Sequence, residues 1–161
     1  MAEPRIAPAQ ALLSARIVAI ALLVSGATIA VIGTIVTLPS ADAQPDREGA
    51  TLFFAIWVAS AVGAMIGWGV LWRRAAGIVT APGARREIEA GRLHAGMVIQ
   101  RLVPAYALLE VQLMVALVVS ILGRTPMLLV PSLTLFAIGI LLSFPRREWF
   151  APFEHASARL P

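Results

Sequence analysis

Four long apolar stretches, separated by polar connections, dominate the pattern of this 161-residue chain. Each stretch is about 20 residues long, enough for a helix rising 1.5 Å per residue to cross a hydrocarbon core of about 30 Å. A single charged residue, Glu110, interrupts them. The pattern predicts an all-α integral membrane protein, a four-helix transmembrane bundle that forms one domain. The predicted spans are residues 17–38, 51–72, 102–122 and 127–144.

Composition excludes two other classes of protein. Hydrophobic residues make up 59% of the chain and charged residues 14%, and the mean hydropathy is +0.84. Soluble domains have about 45–50% apolar and about 25% charged residues, so a soluble globular protein and a disordered one are both excluded. Cysteine is absent, which excludes disulfides, thiolate metal sites and a cysteine nucleophile.

The arginines divide unequally between the two sides of a four-span chain. Of the 13 basic residues, only Arg47 and Arg124 lie in the first and third connections. The others lie in the N-terminal arm, the middle loop and the C-terminal tail, and loops rich in arginine stay in the cytoplasm. We therefore expect cytoplasmic N and C termini in a multi-pass protein of the bacterial inner membrane. This distribution explains the net charge of +4 without a nucleic-acid partner.

A competing interpretation concerns the first connection. The sequence Ala41-Asp42-Ala43 resembles the site that signal peptidase cleaves, and cleavage after Ala43 would remove the first span. The apolar run before it is longer than the 7–15 residues of a signal peptide. The pattern therefore favours a retained first span.

The second span carries small residues at every fourth position, which places them on one face of a helix. Small side chains let two helix backbones approach closely, and this close packing drives helix association in lipid. We expect a helix-packing interface, either inside the chain or, as the sharper alternative, with a partner subunit. Its residues are Ala55, Ala59, Gly63 and Gly67.

The third span contains the best candidate for a ligand- or ion-binding site. Glu110 lies about 12 Å along the helix from Leu102, near the bilayer centre, where a carboxylate is costly. Tyr106 precedes it by one turn on the same face, so the spacing predicts a Tyr106–Glu110 contact. Gln112 is a further candidate, about 200° round the helix from Glu110. Pro104 frees a backbone carbonyl one turn earlier.

Two interpretations of Glu110 remain open. As a functional group it would bind a proton or a cation, or form a polar pocket for a headgroup or quinone. As a structural group it would be protonated and hydrogen-bonded to Tyr106 or to a hydroxyl on another helix. The candidate hydroxyls are Ser25, Thr28, Ser60, Ser132 and Thr134.

The middle loop predicts an amphipathic segment at about residues 83–101, which leads as a helix into the third span. Ile88, Ala95 and Ile99 recur on one side of this helix, with charges elsewhere. Such a segment lies in the headgroup layer and binds anionic lipid, with a docking surface for a partner protein as the alternative. The predicted lipid-headgroup contacts are Arg73, Arg74, Arg85 and Arg86.

Nothing in the pattern predicts a metal or a cofactor. His94 and His155 lie outside the apolar runs, and neither has a second ligand at metal-binding spacing. No nucleotide-binding or hydrolase motif occurs. The chain therefore favours a non-catalytic integral subunit, or an assembly and stabilising protein, of a larger membrane complex. The alternatives are a proton- or cation-coupled small transporter that uses Glu110, and a lipid- or quinone-handling membrane enzyme.

Overall fold

The computed structural model describes residues 7–37 and 47–157, and in these ranges the secondary structure is helical throughout, without strands. Three helices are long and apolar enough to cross a membrane: the first, the second and the fourth. The expectation of an all-helical protein is thus confirmed, and three of its helices could span a membrane. The helices are α1 (Pro8–Thr37), α2 (Arg47–Thr80), α3 (Ala84–Glu89), α4 (Ala95–Leu122), α5 (Leu129–Leu142) and α6 (Ala151–Ser157).

The helices extend beyond the predicted spans. α1 begins at Pro8 rather than at residue 17, and α2 continues to Thr80 rather than ending at residue 72. Arginine is a good helix former whose aliphatic stem packs along apolar surface, so the helices continue through Arg16 and Arg73 although these charges end the apolar runs. The apolar runs therefore cover only part of each of these helices. Leu38, residues 39–46 of the first connection and the Ala43 cleavage site lie outside the described residues.

The fourth apolar helix is shorter than the others. A 3₁₀ turn at Pro126–Leu128 leads into α5, which ends at Leu142 instead of residue 144. The Gly139 carbonyl accepts the Ser143 backbone N–H at 3.1 Å, and the Ser143 hydroxyl donates a second hydrogen bond to it at 2.5 Å. Pro145 disfavours helical geometry in the residue before it. The apolar helix Pro126–Leu142 spans about 25 Å, slightly less than the hydrocarbon core.

α4 is the central element of the packing, because it contacts α1, α2 and α5. Gly67 of α2 lies beside Leu108 of α4, and Phe53 lies beside Gly123 at the other end, so α2 and α4 are antiparallel. α4 and α5 are joined by a tight turn and also run antiparallel. α1, α2 and α5 thus all pack on α4, and α1 and α5 also pack on each other.

Small residues line the buried face of α1 and bring it close to α5. A Cβ atom at Gly26 would lie 2.5 Å from the Phe136 ring, and one at Gly33 would lie 2.9 Å from Leu129. These pairings make α1 antiparallel to α5, and therefore parallel to α4. Arg16 closes the arrangement, since its Nε donates to the Pro145 carbonyl at 3.3 Å. The start of α1 and the end of α5 consequently lie at the same end of the bundle.

The amphipathic segment at residues 83–101 is not one helix, and this expectation was wrong. α3 ends at Glu89, a turn follows, and α4 begins at Ala95. Gly91 adopts a φ of +72°, the left-handed conformation that ends many helices and that glycine adopts without strain. The Arg92 side chain then turns back to Glu87 at 2.6 Å. The apolar periodicity continues across the turn because both helices bury the same side.

Candidate functional site

Glu110 lies at an apolar groove on the outer side of α2 and α4. The carboxyl-bearing side chain is half-buried, and the groove has a volume of ≈ 590 Å³. Phe53 and Ile56 of α2 form one wall, and Val111 and Met114 of α4 form the floor beside Glu110. The groove thus places one carboxyl among apolar side chains within the part of α4 that is long and apolar enough to cross a membrane.

The predicted contact between Tyr106 and Glu110 does not form. Tyr106 is 2% exposed, and its hydroxyl donates to the Ser143 carbonyl at 2.9 Å. The carbonyls of the last helical turn have no partner within their own helix, so the phenol of α4 satisfies one of them at the end of α5. The residues are one turn apart, yet Tyr106 faces α5 and Glu110 faces the groove.

The hydroxyls suggested as partners of Glu110 are also engaged elsewhere or make no hydrogen bond to it. Four of them donate to a backbone carbonyl three or four residues earlier in their own helix, as hydroxyls in membrane helices commonly do. Ser132 also accepts the indole N–H of Trp57 at 2.6 Å, which links α2 to α5. In the described part of the chain, Glu110 itself has no hydrogen bond or ion pair. The four hydroxyls that donate within their own helix are those of Thr28, Ser60, Ser132 and Thr134.

Gln112 is separated from Glu110 and lies inside the bundle. Its side chain is 4% exposed, and neither its amide oxygen nor its amide nitrogen has a hydrogen-bond partner among the described residues. Ser120, two turns later, is also fully buried with an unpaired hydroxyl. Tyr106 and Gln112 are thus both buried, and neither of them lines the groove that contains Glu110.

The small residues of α2 divide between two surroundings. Gly67 packs against α4, since a Cβ there would lie 2.7 Å from Leu108. Ala55, Ala59 and Gly63 are exposed, and a Cβ at Gly63 would meet no atom within 4 Å. No described residue therefore packs against Gly63. A helix-packing interface at these three residues, inside the chain or with a partner subunit, stays a prediction.

The arginines proposed to contact lipid headgroups also lie in different places. Arg74 and Arg86 line a pocket of ≈ 510 Å³ where α2, α3 and α4 meet. Arg85 instead lines a pocket with Glu148 and His155, between α3 and α6. Arg73 is exposed and lines neither of these two pockets. Sequence reasoning thus grouped side chains that the tertiary structure separates.

Arg101 is a member of the α2–α3–α4 pocket that the sequence did not single out. It is the last residue of the predicted amphipathic segment and directly precedes the apolar run of α4. Arg74 follows the apolar run of α2, so the two arginines lie at the same end of an antiparallel pair of helices. Their positions at the ends of the apolar runs are the signal that could have predicted this proximity. Glu87 lines the same pocket, and its hydrogen bond to Arg92 lowers the pKa of its carboxyl.

Among the described residues, no group of three or more histidine, aspartate or glutamate side chains is placed to hold a metal ion. No known protein family, curated protein or solved structure matches the chain. The two features that bear on function are therefore the groove at Glu110 with its neighbouring small residues, and the arginine pocket at the junction of α2, α3 and α4.

Proposed function

We propose that this protein is a small non-catalytic subunit, or an assembly and stabilising protein, of a larger complex in the bacterial inner membrane. It crosses the membrane four times, with both termini in the cytoplasm. The alternating directions of α1, α2, α4 and α5 support this topology, because they bring the arginine-rich connections to one end of the bundle. Arg124, in the turn between α4 and α5, lies at the opposite end.

The unpaired carboxyl of Glu110 in an apolar groove is the observation that carries the proposal. A charged side chain near the bilayer centre costs about 2.5–3.5 kcal/mol on insertion scales. Protein groups that hydrogen-bond to the carboxyl would remove much of this cost, and the described chain supplies none. We infer that a transmembrane helix of a partner protein, with a hydrogen-bond donor facing Glu110, covers the groove.

The small residues of α2 lie beside this groove. Ile56 forms part of its wall, and Ala59 and Gly63 follow at three and seven residues, on the same side of the helix. All three are exposed. Because neither alanine nor glycine has a long side chain, a partner helix can approach the α2 backbone closely here and still reach Glu110. The surface combines close packing with one polar contact.

The alternative is a proton- or cation-coupled transporter. The partial exposure of Glu110 supports a transporter, because an ion in the groove can reach the carboxyl without a change in fold. The two functions differ in what they require of residue 110. A partner contact requires a hydrogen-bonding side chain there, whereas transport requires a group that gains and loses a charge.

The proposal is tested by purifying the tagged chain in mild detergent with its associated proteins. Gly63→Leu inserts a large side chain into the surface beside the groove, and we expect it to release the partner subunit. Val62→Leu is the matched control, since Val62 is also exposed on α2 but lies about 100° round the helix. Complexes of equal size and composition from wild type and both variants would show that α2 faces lipid and contradict the proposal.

A further inference from the structure

The arginine pocket combines side chains from three helices. Arg74 of α2, Arg86 of α3 and Arg101 of α4 line one concavity of ≈ 510 Å³. Each guanidinium carries a fixed positive charge and five N–H donors in a planar fork suited to phosphate oxygens. The side chains converge because α2 and α4 are antiparallel and α3 folds back over their ends.

The turn between α2 and α3 fixes this convergence. Gly83 adopts a φ of +92°, a conformation that glycine tolerates and that reverses the chain after Pro82. The Ala84 N–H donates to the Ala81 carbonyl at 3.0 Å, and the Glu87 N–H donates to the Gly83 carbonyl at 3.2 Å. α3 is therefore held against α2, and Arg86 projects from a short helix with defined ends.

The positive charge of the pocket is not neutralised from within. Glu87 is the acidic residue in its lining, and both of its carboxylate oxygens accept hydrogen bonds from Arg92, at 2.6 and 2.8 Å. Arg92 does not line the pocket, and its ion pair with Glu87 leaves that carboxylate less able to neutralise the arginines of the pocket. In the described residues, the guanidinium groups of Arg74, Arg86 and Arg101 have no hydrogen bond or ion pair.

The position of the pocket along the helices indicates the source of its ligand. Arg74 follows the apolar run of α2, and Arg101 precedes the apolar run of α4, so the two mark the depth at which hydrocarbon gives way to headgroups. Ile78 and Leu93 line the same concavity and provide apolar surface beside the charges. Basic pockets between membrane helices on the cytoplasmic side bind polyanionic lipid headgroups.

We propose that the pocket formed by Arg74, Arg86 and Arg101 binds the headgroup of an anionic phospholipid that carries two phosphate groups. Three unpaired guanidinium groups exceed the charge of a single phosphodiester, and their N–H donors suffice for the oxygens of two phosphate groups. This site differs from general attraction to an anionic surface, because it excludes the equally basic Arg73 and Arg85. It does not depend on the partner-binding proposal.

The test uses the full-length protein in nanodiscs of phosphatidylcholine that contain a minor fraction of cardiolipin, which has two phosphates. A second set contains phosphatidylglycerol, which has one, at the same charge density. Retained lipid is counted by native mass spectrometry. We expect cardiolipin to be retained in preference to phosphatidylglycerol, and Arg86→Gln, Arg74→Gln or Arg101→Gln each to weaken its retention about fivefold.

Arg85→Gln is the matched control, because it removes the same charge from the neighbouring residue of α3 without changing the pocket. We expect it to retain cardiolipin as wild type does. An equal loss in Arg85→Gln and Arg86→Gln would mean that only surface charge matters, and would overturn the proposal. Equal retention of the two lipids by wild type would overturn it as well.

A final arm separates a lipid from a soluble phosphate ligand. Inorganic pyrophosphate is added to the detergent-solubilised protein, and its thermal stability is compared with that in cardiolipin. Stabilisation by cardiolipin that Arg86→Gln reduces and Arg85→Gln preserves supports a lipid site. Stabilisation by pyrophosphate with none by cardiolipin would contradict the lipid assignment.

Discussion

α1 and α2 both carry small residues at helical spacing, but the structure uses the two sets differently. On α1 the small residues face inward, and Gly26 and Gly33 accept large side chains from α5 and α4. On α2 the residues Ala55, Ala59 and Gly63 are exposed, and a Cβ at Gly63 would meet no described atom within 4 Å. A run of small residues therefore permits close approach, and the large side chain opposite, such as Phe136, decides whether packing occurs.

The two sides of α4 show the same contrast. On the side toward α1 and α5, Tyr106 is buried and hydrogen-bonded. On the outer side, Glu110 lies in a groove without a partner in the described chain. In the most apolar 18-residue segment of each long helix, 44% of the residues are buried in α4 but only 11% in α2. Among the three long helices, α2 consequently leaves the largest share of this segment open to lipid or to another protein.

The strongest way to test this contrast is to remove the large residue on the packed side. Phe136→Ala leaves a cavity beside Gly26, and we expect it to lower the free energy of unfolding by about 3–5 kcal/mol. Ile138→Ala is the control, since Ile138 is exposed on the same helix and should have little effect. Unfolding is followed in detergent by circular dichroism. Comparable losses in the two variants would mean that α5 is not packed as described.

A second comparison adds volume to each set of small residues. Gly26→Leu places a side chain against the buried Phe136 ring, which lies 2.5 Å from the position of a Cβ atom, so we expect a loss of about 1–3 kcal/mol in stability. Gly63→Leu should leave the stability of the isolated chain unchanged, because a Cβ there meets nothing within 4 Å. Thermal unfolding of both variants in detergent provides the measurement. Destabilisation by Gly63→Leu would place Gly63 in an internal interface after all.

The polar groups of α4 offer a smaller effect of the same kind. Tyr106→Phe removes the hydrogen bond to the Ser143 carbonyl and leaves that carbonyl buried, so we expect a loss of about 1 kcal/mol. Glu110→Gln should not change stability, since no described residue bonds to the carboxyl. Both values come from the same unfolding measurement. A destabilising Glu110→Gln would reveal an internal partner for this carboxyl.

Glu110 also separates the two proposed functions. If it contacts a partner helix, Glu110→Gln retains the co-purifying subunit because an amide still forms hydrogen bonds, whereas Glu110→Leu releases it. If it transports an ion, Glu110→Gln abolishes flux in liposomes while the protein stays folded. Association is measured by co-purification and flux by proton release from liposomes. Loss of flux in a well-folded Glu110→Gln protein would retire the subunit proposal.

The smallest expected effect concerns the turn between α3 and α4. The hydrogen bond from Arg92 lowers the pKa of Glu87 from its usual 4.5, so the carboxylate stays charged at neutral and mildly acidic pH. The stabilisation of the turn is present above that value and is lost as pH falls through the lowered pKa. Hydrogen exchange at the Arg92 amide, which donates to the Glu87 carbonyl at 2.9 Å, reports the opening. In the wild type, the exchange rate, corrected for its intrinsic pH dependence, should rise as pH falls through the pKa of Glu87. In Glu87→Gln, this rise should be absent.

The amino-acid sequence was sufficient to predict helices that belong in a membrane. Transfer of a segment to lipid depends on the sum of its own side chains, and lipid forces the backbone polar groups into helical hydrogen bonds. The spans at residues 17–38 and 51–72 could therefore be located without knowing their neighbours. The sequence also identified Glu110 as the one carboxyl of its apolar runs, because isolated charges stand out in such a pattern.

Only the tertiary structure decided which faces and partners these helices have. The four-residue spacing of α2 does not reveal that Gly67 meets Leu108 while Gly63 meets nothing. The Ser143 carbonyl is 37 residues from Tyr106, and Arg101 joins Arg74 because their helices are antiparallel. Such contacts depend on which distant segment lies opposite. Local composition does not determine which segment that is, since the same small or polar residue suits a buried face, a lipid face or a partner equally well.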